Sequence, residues 1–185
     1  MPREILVVDC QYDFINGSLA CGNSEEAVKG IIALINANPD AKVYYSADWH
    51  SDNHFNHIKN GGIWPDHCIA NTRGAEFHEN FYTDIKNPAQ RPNENNIYLK
   101  GTDDFHEEYS AFNAKNRQGH ELNQDIGQEI IITGIASEFC VKESVLAFLK
   151  TGRKVEIIAN LLGWVDEENH RKTLKELAAL GIKIS

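Results

Sequence analysis

Asp9, Asp48, Lys100 and Cys140 stand at, or one turn beyond, the ends of short runs rich in β-branched and aromatic residues: Ile5 to Val8, Lys42 to Ser46, Asn96 to Leu99, and Glu129 to Thr133. Such runs read as buried strands. In an open α/β sheet ligands bind beyond the carboxyl ends of the strands, so two acids, a cation and a thiol are expected on one edge. Alone, each has an ordinary explanation: a turn-forming Asp, a solvated Lys, a small buried Cys. At successive strand ends they point to chemistry. Cys140 follows the turn GIASEF and opens a helical segment, where backbone N–H groups and the helix dipole favour a thiolate. Lys100 is expected to lower its pKa further. Asp9 is placed to accept the thiol proton and later return it to a leaving group. Cys10 and Cys21 lack that setting and read as packing residues, and Cys68 follows a histidine.

A second constellation is Asp48, His50, His54 and His67. One carboxylate and three imidazoles suit a divalent transition metal such as Zn²⁺, Fe²⁺ or Mn²⁺. Asp48 and His50, two apart on extended chain, point to the same side. The spacing follows no zinc-finger pattern, so a polar loop with solvated imidazoles stays open as the alternative. His57, His78, His106, His120 and His170 read as surface or structural histidines.

The elements that must position these groups alternate between strand and helix. Ala27, Ile31, Leu34 and Ile35 repeat at helical spacing behind Asn23, whose Glu26 resembles a capping box. Val141, Val145, Leu146 and Leu149 mark a second helix that stops at Gly152, and a fifth strand, KVEIIA, follows. Asp166 can cap a last helix with Leu174, Leu177 and Leu180 facing inward, before a short apolar tail at Ile182 to Ile184. Strands separated by helices imply a mainly parallel sheet, six strands here, covered on both faces. The stretch from Trp49 to Asn96 is long and aperiodic, which inside a compact domain marks a functional loop.

The chain has 185 residues, 42% hydrophobic and 24% charged, a composition that excludes disordered and low-complexity classes. No domain boundary is visible, so residues 1–185 are expected to form one domain. A net charge of −9 without a basic run makes nucleic acid and anionic membranes poor partners. The apolar runs are strand-sized, too short for a membrane span. Four cysteines without a CxxC spacing, and an N-terminus lacking a signal-peptide core, make the cytoplasm the expected compartment.

Seven segments in fixed order carry a resemblance: VDCQYDF at Val8 to Phe14, ADWHSDNHF at Ala47 to Phe55, WPDHC at Trp64 to Cys68, GAEFH at Gly74 to His78, LKG at Leu99 to Gly101, YSAF at Tyr109 to Phe112, and TGIASEFCV at Thr133 to Val141. Over nearly its whole length the chain resembles the nicotinamidases of the isochorismatase-like cysteine hydrolase superfamily. The resemblance implies a three-layer α/β/α sandwich, a triad of Asp9, Lys100 and Cys140, and metal ligands Asp48, His50, His54 and His67. It also implies a cis peptide at Ile135-Ala136 that aims the N–H groups of Ala136 and Cys140 at the substrate oxygen, with Phe14 and Trp64 against a pyridine ring. The implied activity is hydrolysis of nicotinamide, or an analogue such as pyrazinamide, through a thioester on Cys140. One divalent ion, Zn²⁺ first and Fe²⁺ or Mn²⁺ otherwise, would bind the ring nitrogen. Glu138, Phe139 and the stretch Ala70 to Arg73 depart from commoner versions and bear on substrate fit. Another amide or isochorismate as substrate, or a non-catalytic metal-binding module, remain alternatives, and a homo-oligomer stays open.

Overall fold

The computed structural model describes residues 4–185. Six strands, β1 (Glu4–Val8), β2 (Val43–Asp48), β3 (Ile97–Lys100), β4 (Glu129–Gly134), β5 (Lys154–Leu162) and β6 (Lys183–Ile184), form one sheet in the order β3-β2-β1-β4-β5-β6. Every strand pairing is parallel. The helices are α1 (Tyr12–Ile15), α2 (Ser24–Ala37), α3 (Asn80–Thr83), α4 (Leu122–Asp125), α5 (Lys142–Lys150) and α6 (Glu167–Ala179).

Successive side chains of a strand point to opposite faces, and β1 feeds both layers. Ile5 and Val7 join Ile31 and Ile35 of α2 and Phe81 of α3 in one core. Leu6 and Val8 join Leu122 of α4, Val145 and Phe148 of α5, and Leu177 of α6 in the other. A strand buried on both faces needs a continuous apolar run rather than an alternating one, and ILVV supplies it. The result is the three-layer α/β/α architecture expected.

Three local expectations are corrected. Asn23 precedes α2 but does not cap it: it adopts φ +59 and its amide donates to the carbonyls of Asn160 and Leu162, tying the helix start to β5. The α-helix after β4 begins at Lys142 rather than at Cys140, because residues Ser137–Val141 form a single wide turn of π-helix. Leu180 lies past the end of α6 and is exposed. Asp166 does cap α6, accepting from the Asn169 N–H. Among the described residues no helix is long and apolar enough to cross a membrane.

The strand order reverses between β1 and β4, where the crossovers turn to opposite sides and a crevice opens beyond the carboxyl ends. Asp9 leaves the sheet on one side of that crevice and the turn to Cys140 on the other.

Candidate active site and metal centre

Lys100, at the end of β3, reaches across β2 with its side chain almost fully buried. Its ammonium lies 2.8 Å from Asp9 Oδ2, 2.5 Å from Asp48 Oδ1 and 3.4 Å from Cys140 Sγ. An ammonium has three N–H donors, so each has one of these groups to address. Asp9 adopts φ +46 as the chain leaves β1, and its Oδ1 accepts from Ser46 Oγ of β2 at 2.7 Å. The structure thus brings Asp9, Lys100 and Cys140 together from three separate segments.

Charge states differ from the sequence-based expectation at the thiol. Burial pushes the Cys140 pKa well above its ordinary value, and Lys100 offsets this only in part. Cys140 lies inside the π-turn and not at a helix N-terminus, so it rests as a thiol. Burial also raises Asp9, against the pull of Lys100, which makes it a stronger base than a solvated carboxylate. For Lys100 burial opposes the charge, but Asp48, Asp9 and Cys140 together outweigh it and hold the ammonium.

Asp48 joins this trio to the second constellation. Its Oδ2 lies 3.5 Å from His50 Nε2 and 4.0 Å from His67 Nε2. The His50 Nδ1 pairs with the Gly101 carbonyl at 2.8 Å and the His67 Nδ1 with the Pro65 carbonyl at 2.7 Å. A ring that donates through Nδ1 carries its lone pair on Nε2, and backbone-oriented imidazoles of this kind are a regular feature of metal ligands. Asp48, His50 and His67 place donor atoms within 4.8 Å of one another, and His50 Nε2 is buried without a partner. A divalent ion fits this set, with coordination positions left for other ligands. Burial opposes ionisation of Asp48, but Lys100, His50 and His67 hold its carboxyl far below the usual range. His54 stacks on His50 with ring centroids 4.2 Å apart. Its Nδ1 accepts the Asn56 N–H at 3.3 Å, which puts the proton of a neutral ring on Nε2.

Beside these groups lies a small, largely apolar cavity onto which Asp48, His67, Ala136 and Cys140 open. Trp64 packs edge-on against Phe139 at 5.0 Å and donates through Nε1 to the Tyr109 hydroxyl at 3.1 Å. Phe14 packs against His67 at 5.5 Å. Leu19, Cys21 and Val165 complete the wall. Two backbone hydrogen bonds between Gly22 and Trp164 join the segments that carry them, and Glu138 accepts from the N–H groups of Val165 and Asp166. Cys21 therefore faces the cavity as well as the core, and burial raises its thiol to about 12. The Ile135-Ala136 peptide is cis. Among the described residues the Ala136 N–H has no hydrogen-bond partner.

Sequence reasoning missed two residues. Gln11 is fully buried and clamps β2 in place: its amide donates to the Asp48 and Ala75 carbonyls and its oxygen accepts the Asp48 N–H at 2.8 Å. Its sequence signals are its place two residues after Asp9 and inside the segment VDCQYDF. His57 is fully buried against His50, His54 and His67. Its signal was the spacing His50, His54, His57, which places a fourth imidazole in the same loop.

The profile of the isochorismatase domain matches residues 4–185. The chain belongs to the isochorismatase family. Within it, the chain is 30% identical to a nicotinamidase of Escherichia coli (strain K12), over 86% of this chain and 82% of that one. The crystal structure of a Pyrococcus horikoshii pyrazinamidase in complex with zinc superposes with a TM-score of 0.83 at 28% identity, covering 100% of this chain and 99% of that one. The yeast nicotinamidase bound to the inhibitor nicotinaldehyde gives a TM-score of 0.82 at 26% identity, covering 98% of both. As a member of the isochorismatase family with these relatives, the protein is a hydrolase acting on a carboxamide.

Proposed function

We propose that the protein hydrolyses nicotinamide to nicotinate and ammonia through a thioester on Cys140. The observation that carries this reading is the single ammonium of Lys100 shared by Asp9, Asp48 and Cys140, because it couples a nucleophile and its base to a metal ligand.

Asp9 takes the thiol proton, helped by the greater basicity that burial gives its carboxylate. The thiolate attacks the carboxamide carbon, and the Ala136 and Cys140 N–H groups receive the developing oxyanion. Asp9 gives its proton to the departing nitrogen, and ammonia leaves. Asp9 then deprotonates a water that attacks the thioester; nicotinate departs and the thiol is restored. Lys100 stays protonated throughout and keeps the two carboxylates and the sulfur in register. Phe14 and Trp64 hold the ring between them. Asp48, His50 and His67, with His54 beside them, would hold one divalent ion, Zn²⁺ by choice, which supplies a Lewis-acid anchor for the ring nitrogen.

The test compares ammonia release from nicotinamide and benzamide, which share the ring size and the scissile bond and differ by the ring nitrogen. Nicotinamide should be preferred by about 100-fold or more, since a site built to bind a polar atom discriminates against an analogue lacking it. Chelation should remove most of that preference. Equal rates on the two amides would move the protein to another substrate of its family.

A further inference from the structure

Of the seven buried polar side-chain atoms without a hydrogen-bond partner among the described residues, five belong to one loop, the other two being Asp9 Oδ2 and Gln90 Oε1. The five are His50 Nε2, His54 Nε2, Asn56 Oδ1 and both ring nitrogens of His57. The ion accounts for His50. Buried polar atoms otherwise find a partner in protein or ordered water, and leaving one unpaired costs about 1–3 kcal/mol. A phenyl ring would fill the volume of His57 without two such atoms, so shape alone does not account for an imidazole there.

His57 is fully buried, with its ring 5.7 Å from that of His50, 5.4 Å from His67 and 5.9 Å from His54. Its nitrogens are not among the Asp48, His50 and His67 donor atoms that lie within 4.8 Å of one another, which sets His57 outside that inner group. On its outer side Nδ1 lies 4.0 Å from Asp66 Oδ1, and Asp66 is itself held by Lys59 at 2.7 Å. At that distance Asp66 makes no hydrogen bond to the ring and supplies a negative charge beside it, leaving both ring nitrogens free to meet water.

We propose that His57 belongs to the metal centre as an outer imidazole, hydrogen-bonded to water carried by the ion. This rests on the reading of Asp48, His50 and His67 as ligands. The unpaired atoms of His54 and Asn56 border the same water.

The experiment measures Zn²⁺ affinity by chelator competition, and the visible spectrum of the Co²⁺-substituted protein, for wild type, His50→Ala, His57→Phe and His57→Gln. Wild type should bind one ion per chain and His50→Ala should lose it. His57→Phe should bind 10–100-fold more weakly, the usual effect of removing an outer-sphere partner. Its cobalt bands should keep their intensity, because the inner ligands are unchanged, and its metal-free form should melt no lower than wild type. His57→Gln, which keeps a polar group, should fall between and decides the matter if the phenylalanine variant does not fold. Zinc affinity in both variants within about twofold of wild type would overturn the proposal. Collapse of the cobalt bands in His57→Phe would make His57 a direct ligand and overturn it equally. Absence of metal binding by wild type would instead remove the ligand assignment beneath it.

Discussion

Lys100 is the residue on which both constellations converge, and its removal has a sign that can be worked out. Lys100→Met leaves Asp9 and Asp48 buried together without their shared cation. Breaking a buried ion pair from one side costs about 3–5 kcal/mol, so urea unfolding should show a loss of that order; a loss under about 1 kcal/mol would mean the carboxylates are not paired as described. The thiol gives a pH test. Its folded-state pKa is raised above the ordinary value of 9.0, so the thiolate fraction is small at neutral pH and grows as pH rises. Alkylation at Cys140 should therefore keep accelerating beyond about pH 9, and faster loss of protons is not expected in Lys100→Met, where the profile moves higher still. A plateau near neutrality in wild type would instead indicate a thiolate at rest. The identities of Asp9, Lys100 and Cys140 were legible because strand ends can be read from apolar runs. Their protonation was not, since desolvation depends on what the rest of the chain places around them. The spacing that places His57 in the loop of His50 and His54 was on the page, but its burial was not, because that follows only once the His57–Trp64 bridge closes the loop.

At the scale of elements, the seam between β1 and β4 aligns the base with the nucleophile turn. Gly134 pairs with Val8 there; it adopts φ +111, and a Cβ would stand 2.1 Å from the Val8 carbonyl oxygen. Gly134→Ala must push the two strands apart where both leave the sheet. A loss of about 3 kcal/mol or more is expected from the combined strain and overlap, read as a thermal or urea shift together with loss of turnover. Gly152, at φ +79 with nothing within 4 Å of its Cβ position, is the control. Gly152→Ala should cost only about 1–2 kcal/mol of backbone strain and leave turnover intact. Equal penalties at the two glycines would show that overlap at the seam is unimportant. Strands and helices were readable from periodicity, while their ends were less so. Asn23 has the right type for a cap, yet its amide is taken by carbonyls of β5 far along the chain, a competitor that no local pattern reveals. The π-turn that carries Cys140 likewise has the composition of a helix start.

For the whole molecule, an ion that binds only the folded state adds stability by mass action. At a free concentration 100 times its dissociation constant the gain is about 2.7 kcal/mol, or roughly 5–10 °C for a chain of this length. Saturating Zn²⁺ should raise the melting temperature by that amount and His50→Ala should abolish the rise; a wild-type melt indifferent to both zinc and chelator would argue against the ion. The sheet order has one more implication. β1 is made before the other five strands of the sheet, but it lies inside it, and its partner β4 begins only at Glu129. During synthesis β2 and β3 can cover one side of β1 while the other stays an unpaired edge bearing Ile5 to Val8. An open apolar edge is a template for pairing with other chains. The nascent chain must therefore wait, or be shielded, until β4 has left the ribosome, and a fragment ending before β4 should aggregate rather than persist as half an enzyme.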